Sequence, residues 1–517
     1  MINSKVNLVE ALKYYFQYDT FRQGQEEIIT DVMNGNDVLG VLPTGSGKSI
    51  CYQLPAILQN GLTIVVSPLI SLMIDQVKEL KAKGIKDVIA LNSFLSRDER
   101  YHVLNNLGNY RLIYVSPEWL QNTTFVQQLK QINVTLFVID EAHCISQWGH
   151  EFRPDYLKLK DIIAKLGNPT LLALSATATP DVQDDIINSL NRSHITKHIF
   201  PMDRDNIAFC VEKIDNIDEK KERIRELIQQ YHVPTLIYFT SRYLAEETSR
   251  WLSSTIQNRN IAYYHGGMEA TDRIHIQQQF MNNQLDVICC TSAFGMGINK
   301  SDIRLVVHYH LPSQIESYIQ EVGRAGRDGK ESVAVILYTS GDWVLPKQII
   351  QQELPTKEDV YRIVDWLQEF SKQGVHTIND EEVISYLQIS ELQWRFIRSQ
   401  LEKHDMIVEN QLITEETNID IIKKEISAYI EKRVTYKEKK LAEMIHWVNS
   451  DQCYRQKLYM PFQDSYRPSK GQCCSNCYFQ WSEWQPKSTN NKSPEFLSWQ
   501  SKLQSIFHMA EVEYETR

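Results

Sequence analysis

One stretch constrains the fold more than any other in these 517 residues: Val38-Leu39-Gly40-Val41-Leu42-Pro43-Thr44-Gly45-Ser46-Gly47-Lys48-Ser49. An apolar run of strand length enters a loop containing two glycines. After Lys-Ser the chain continues as an apolar segment with helical spacing. Glycines let such a loop curl so that backbone N–H groups point inward, and the start of the following helix adds partial positive charge. Lys48 is placed to reach the outer phosphates of ATP, and Ser49 to ligate Mg²⁺. The usual first glycine of the pattern falls at Leu42. A strand, a phosphate loop and a helix in succession are the opening of a parallel sheet with helical crossovers, so the surrounding sequence should alternate strand and helix.

It does so twice. Asp37–Leu42, Leu62–Ser67, Leu112–Ser116, Leu136–Asp140 and Thr170–Ser175 read as buried strands separated by helices. The scheme returns at Thr235–Thr240, Ile261–His265, Leu285–Cys290, Leu305–Tyr309 and Val333–Tyr338. Two tandem α/β domains follow, 1–205 and 206–342, with a cleft between them as a natural ligand site. Beyond Ser340 the pattern changes. Residues 355–415 read as three helices and a short β wing, which is the order of a winged helix-turn-helix. Residues 416–480 are helical, rich in lysine and end in cysteines. A tail, 481–517, holds a short amphipathic helix over Pro494–Met509.

Charge is uneven. The net charge of -10 argues against a polyanionic partner only on average. Residues 421–470 carry 11 Lys+Arg against 6 Asp+Glu, or +5, and residues 355–412 carry 6 against 11, or -5. No apolar run reaches the roughly eighteen residues of a membrane span, and Met1–Lys13 is too polar for a secretory signal. The expected location is the cytoplasm. Of nine cysteines, five are scattered through apolar segments, while Cys453, Cys473, Cys474 and Cys477 cluster within 25 residues. In a reducing compartment that clustering points to a metal rather than disulfides.

Two further segments complete a triphosphate site. Val138-Ile139-Asp140-Glu141-Ala142-His143 ends an apolar strand in adjacent acids. Asp140 would hold Mg²⁺ and Glu141 would orient and deprotonate an attacking water. In Gln320-Glu321-Val322-Gly323-Arg324-Ala325-Gly326-Arg327, on the second domain, two arginines one turn apart can face the γ-phosphate across the cleft. A placed arginine is worth on the order of 10³-fold or more in rate. Catalysis would then need both domains closed.

These pieces resemble superfamily-2 helicases, and the details resemble the RecQ family. Phe21-Arg22-Gln23-Gly24-Gln25, with Tyr18 upstream, is similar to that family's adenine-recognition element, which implies nucleotide contacts from Tyr18, Arg22 and Gln25 beside those of Thr44, Gly45, Ser46, Gly47, Lys48 and Ser49. Ser67 to Gln76 resembles a DNA-contacting motif, and Ser175-Ala176-Thr177 the motif that couples nucleotide state to closure. Cys144 to Tyr156 resembles the aromatic-rich loop of RecQ helicases. Trp148, Phe152 and Arg153 in it can stack on unpaired bases at about 1–3 kcal/mol each. Tyr264-His265-Gly266-Gly267-Met268 and Thr291 to Lys300 match further motifs. The resemblance covers residues 15 to 340. It implies two RecA-like parallel-sheet domains followed by a winged-helix-like module and a helical zinc-binding module. It further implies an ATP- and Mg²⁺-dependent DNA helicase moving 3′ to 5′ on single-stranded or forked DNA, with a role in repair and recombination, and Gln320, Arg324 and Arg327 in catalysis.

The sequence also departs from the family. Trp119 stands where an arginine is usual. The fourth cysteine position holds Gln480, leaving Cys453, Cys473, Cys474 and Cys477 as the zinc set, with a metal-free remnant as the alternative. The winged-helix-like segment precedes the cysteines rather than following them. Trp394, Arg395 and Arg398 on its third helix could touch DNA, or the acidic module could dock a protein. The competing readings of the whole are an RNA helicase or remodelling ATPase of the same superfamily, which the Gln147-Trp148-Gly149-His150 loop argues against, and a non-catalytic scaffold.

Overall fold

The computed structural model describes residues 7–92, 95–146, 153–294, 300–374, 376–408, 410–413, 418–463 and 468–487. Trp148, Phe152, Gly295, Gly297 and the segment Pro494–Met509 lie outside the described residues.

Seven strands build the first sheet: β1 (Val38–Val41), β2 (Leu62–Val66), β3 (Val88–Leu91), β4 (Leu112–Val115), β5 (Val134–Ile139), β6 (Thr170–Ser175) and β7 (Thr196–Ile199). Their order is β3-β4-β2-β5-β6-β1-β7, and every pair is parallel. The central strands are Val/Ile/Leu-rich and buried on both faces because helices cover both sides. The second sheet holds β8 (Ile207–Lys213), β9 (Thr235–Tyr238), β10 (Ile261–Tyr264), β11 (Val287–Cys290), β12 (Leu305–His308) and β13 (Ser332–Tyr338), in the order β10-β11-β9-β12-β13-β8, again all parallel. In each sheet the strand order doubles back, and the loops at the carboxyl ends of the strands frame a crevice. The loops leaving β1 and β5 share a cavity with Gln320, Arg324 and Arg327, which precede β13 in the second lobe.

Strands β3, β7 and β8 were not legible in the hydrophobic pattern. The Thr-Lys-His-Ile of β7 alternates in burial because it is an edge strand with one solvated face. At β8 the apolar half gives way to Val-Glu-Lys. This edge strand is covered by the cysteine segment: Phe209 N donates to Cys473 O at 3.1 Å, Val211 N donates to Ser475 Oγ at 3.2 Å, and Phe209 bridges Cys474 as a parallel partner. An open edge is thereby closed.

Residues 355–413 carry their own core. Helices Lys357–Lys372, Asp380–Leu387 and Glu391–Lys403 pack with an antiparallel pair, β14 (Ile407–Val408) and β15 (Gln411–Leu412). Gln388 takes a left-handed φ of 52°, and Ser390 then opens the third helix with a capping box to Gln393. The 30-residue helix Ile419–Val448 is the spine joining this module to the motor. Ile422, Ile426 and Ile430 belong to the module's core, whereas Leu441, Met444, Trp447 and Val448 belong to the core shared with both α/β lobes. Residues 481–487 also pack on the second lobe. Trp484 is buried with its ring centroid 4.7 Å from that of Tyr231, and Trp481 Nε1 donates to Glu212 at 2.6 Å. The tail expected from residue 481 therefore begins within the packing of the motor.

Candidate active site

Gly45 and Gly47 adopt φ of 82° and 79°, the left-handed region that a side chain resists, and this curls the loop between β1 and helix Ile50–Leu58. Lys48 Nζ lies 3.9 Å from Glu141 Oε1. Asp140 and Glu141 leave the end of β5 together. Glu141 also takes a left-handed conformation, φ 50° and ψ 50°, a strained choice for a non-glycine residue of the kind that collects at functional sites. Burial first, and then repulsion by Glu141, pushes the Asp140 carboxyl up to about 7 against the opposing pull of Lys48. A carboxylate that is costly to ionise beside a second acid fits a place where a divalent cation is to be held. His143 Nδ1 sits 3.4 Å from Glu141 Oε2 and 3.1 Å from Ser175 Oγ, which accepts from Thr177 N at 3.3 Å. The Ser175-Ala176-Thr177 segment is thus one side chain removed from the acid.

The second lobe meets this loop directly. A Cβ built on Gly45 would lie 3.0 Å from Arg327 Cγ, and one built on Gly323 would lie 2.8 Å from Thr44 Cβ, so both glycines permit a close approach. Gln320, Arg324 and Arg327 line one cavity of about 1000 Å³ together with Tyr18, Arg22, Gln25, Thr44, Gly45, Gly47, Lys48, Ser49, Asp140 and Glu141. Burial, reinforced by Arg324 and then Arg204, pulls the Arg327 guanidinium down to about 9. Like charges gathered in a buried place are what a polyanion stabilises.

Other predicted residues have more particular positions. The Gln25 amide is engaged by the protein: Nε2 donates to Ser46 O and Gly47 O, each at 3.0 Å, and Oε1 accepts from Arg22 N at 2.9 Å. Arg22 Nη1 donates to Gly45 O at 2.7 Å. Gln25 therefore braces the phosphate loop, whereas Tyr18 is exposed at the cavity rim. Ser67 is buried, and Gln76 Oε1 accepts from Gln53 Nε2 at 2.7 Å within the same cavity. The aromatic-rich loop is anchored at both described ends. Ser146 Oγ donates to Asp185 at 2.6 Å, and Arg153 donates through N to Cys144 O at 3.0 Å and through Nη1 to Pro68 O at 3.1 Å. Trp119 packs edge-on to Phe125 under the guanidinium of Arg100.

Sequence reading missed Arg204, in the segment joining the lobes. Its guanidinium donates to Thr44 O at 2.9 Å, Gly323 O at 3.3 Å, Ala325 O at 3.2 Å and Gly326 O at 2.6 Å. No motif flags an arginine whose partners are all carbonyls from distant segments.

The cysteines converge as well. The sulfurs of Cys453, Cys473, Cys474 and Cys477 lie within 4.8 Å of one another, with Cys453 Sγ 3.7 Å from Cys473 Sγ and 3.9 Å from Cys474 Sγ. Tetrahedral zinc with bonds of about 2.3 Å spaces its sulfurs about 3.8 Å apart. Hydrogen bonding from Cys473 draws the Cys474 thiol down to about 5. Gln480 stands aside: its backbone N and O pair with the Gln472 side chain at 2.5 and 2.9 Å.

Two RecA-like lobes closing on a phosphate loop, with acids from one and arginines from the other, define the core of a nucleic-acid motor of the helicase class. Family models agree, with DEAD/DEAH box helicase matching residues 22–186 and the helicase conserved C-terminal domain matching 219–329. The chain is 42% identical to the probable ATP-dependent DNA helicase RecS of Bacillus subtilis, over 98% of this chain and 99% of that one. It is 41% identical to the ATP-dependent DNA helicase RecQ of Haemophilus influenzae over 69% of this chain, spanning 57% of that longer protein. The chain belongs to the RecQ family of ATP-dependent DNA helicases. Among solved structures, Mycobacterium smegmatis Lhr bound to ssDNA and AMP-PNP superposes with a TM-score of 0.56 at 20% identity, covering 77% of this chain and 57% of that one. The DEAD-box helicase Mss116 bound to ssRNA gives 0.57 at 17%, covering 88% and 89%. These two speak for the fold alone. No helix among the described residues is long and apolar enough to cross a membrane.

Proposed function

We propose that this helicase splits ATP between its two lobes and uses the cycle to walk 3′ to 5′ along single-stranded DNA, parting the duplex ahead. The observation that carries the reading is the single cavity holding Lys48, Asp140 and Glu141 from one lobe and Gln320, Arg324 and Arg327 from the other. Lys48 and the loop N–H groups cradle the phosphates, Tyr18, Arg22 and Gln25 hold the base, and Glu141 takes the proton of the attacking water. Ser49 and Asp140 would hold Mg²⁺, which when bound neutralises charge on the β- and γ-oxygens. The arginines meet charge that develops as the phosphoryl group transfers. Trp148, Phe152 and Arg153 receive unpaired bases, and the bond from Arg153 N to Cys144 O, with that from Cys144 N to Glu141 O, carries the contact toward the acids. DNA rather than RNA as the track rests on relatives at 41–42% identity.

The direct test is unwinding of duplexes tailed on either strand. The expected result is ATP-dependent unwinding from a 3′ tail, no unwinding by Glu141→Gln, and stronger stimulation of ATPase by single-stranded DNA than by RNA. Unwinding only from a 5′ tail, or preferential stimulation by RNA, rejects the reading.

We further propose zinc at Cys453, Cys473, Cys474 and Cys477, on the sulfur spacing. The intact chain is expected to carry about one zinc per molecule by elemental analysis. Cys477→Ser should lose most of it and Gln480→Ala should keep it. Wild-type protein with near-zero metal ends the assignment. The acidic module at 355–413 is a candidate docking surface for a protein partner.

A further inference from the structure

Residues 202–207, which join the two lobes, are gripped from outside by the cysteine module. Gln463 Oε1 accepts from Met202 N at 2.7 Å and Asp203 N at 3.3 Å. Arg455, two residues past Cys453 and only 1% exposed, donates to Asp203 Oδ1 at 2.6 Å, to Arg204 O at 2.8 Å and to Ile207 O. Lys470, three residues before Cys473, donates its N–H to Asp205 O at 2.8 Å. The linker is therefore fixed on both sides of Arg204.

The Arg204 side chain, projecting from this fixed backbone, touches both halves of the phosphate site through a single group. Its fork reaches Thr44 O in the nucleotide loop and three carbonyls of Gly323–Gly326, the turn that carries Arg324 and leads to Arg327. A planar guanidinium has donors in fixed directions, so it satisfies carbonyls of two lobes only when the lobes lie at one separation. Opening the cleft by a few ångströms must break the bond to Thr44 O, because Arg455 and Gln463 keep the Arg204 backbone from following.

We propose that Arg204 is a positioning residue for ATP hydrolysis, and that the cysteine module sets its position through Arg455 and Gln463. Arg204 favours the closed arrangement in which Arg327 faces the nucleotide loop, and the module has a hold on turnover without touching nucleotide. This rests on the reading that ATP is split between the lobes.

The test uses the full chain with saturating single-stranded DNA. Arg204→Ala is expected to lower kcat about tenfold or more, with KM for ATP moving less than about threefold. Arg204→Lys should not restore turnover, since one ammonium cannot span four carbonyls. Gln463→Ala loosens the linker without emptying a buried charge site, and should lower kcat in the same sense. The double variant Arg204→Ala, Gln463→Ala should be no slower than Arg204→Ala, because both act through one contact. Wild-type kcat in Arg204→Ala, full rescue by lysine, or additive losses in the double variant each overturn the proposal. Wild-type protein that does not hydrolyse ATP, or Glu141→Gln that does, would instead overturn the reading beneath it.

Discussion

Arg327→Ala is expected to lower kcat for DNA-stimulated ATP hydrolysis by on the order of 10³-fold, while affinity for a non-hydrolysable ATP analogue changes only a few-fold. The reason is where the charge is. Arg327 is held against Gly45 of the phosphate loop by its aliphatic stem, and burial with Arg324 and Arg204 nearby makes its own charge costly there. A guanidinium in that position gains most when negative charge spreads over the transferring group. Its contribution is therefore larger in the transition state than in the bound ground state. Arg327→Lys keeps the charge but not the fork, and should recover little. Steady-state kinetics with analogue binding separates the cases. A raised KM with unchanged kcat would mean that Arg327 only binds nucleotide.

Much of this geometry was readable because its physics is local. A glycine loop between a strand and a helix says phosphate, and Asp-Glu at a strand end says metal and base, wherever the rest of the chain goes. The doubled run of apolar strands announced two parallel sheets. The Thr196–Ile199 edge strand escaped notice because half of its residues face water. What the sequence hid is long-range. Arg204 and Arg455 look like surface arginines until the chain folds carbonyls and Asp203 around them. Gln25 reads as a base-recognition residue, and no motif shows that its amide also donates to Ser46 O and Gly47 O. With Gln480 at the fourth cysteine position, the spacing alone left a metal-free remnant as the alternative to zinc; it did not reveal that Cys473 Sγ lies 3.7 Å from Cys453 Sγ, or that the Gln480 backbone pairs with the Gln472 side chain.

The largest stability effect is expected where the sequence invited a nucleic-acid contact. Trp394 lies on the third helix of the 355–413 module, but it is 1% exposed and donates from Nε1 to Asp380 at 2.8 Å. Arg398 is bound to Asp380, Glu402 and Asn410. Trp394→Ala empties the middle of a small core and should cost about 3–5 kcal/mol, read as an early unfolding transition of this module in denaturant and faster hydrogen exchange across 355–430. Arg395 is different. It is exposed, and its ion pair with Glu391 at 2.6 Å spans one helical turn, so Arg395→Ala should cost less than about 1 kcal/mol. The module touches the first lobe through Lys158 and Glu402, 2.7 Å apart and five residues beyond Arg153. Melting it should therefore also loosen the far end of the aromatic-rich loop. Loss of DNA-stimulated turnover in Trp394→Ala would then follow unfolding. The same loss in Arg395→Ala, with stability intact, would mark that face of the helix as a contact surface.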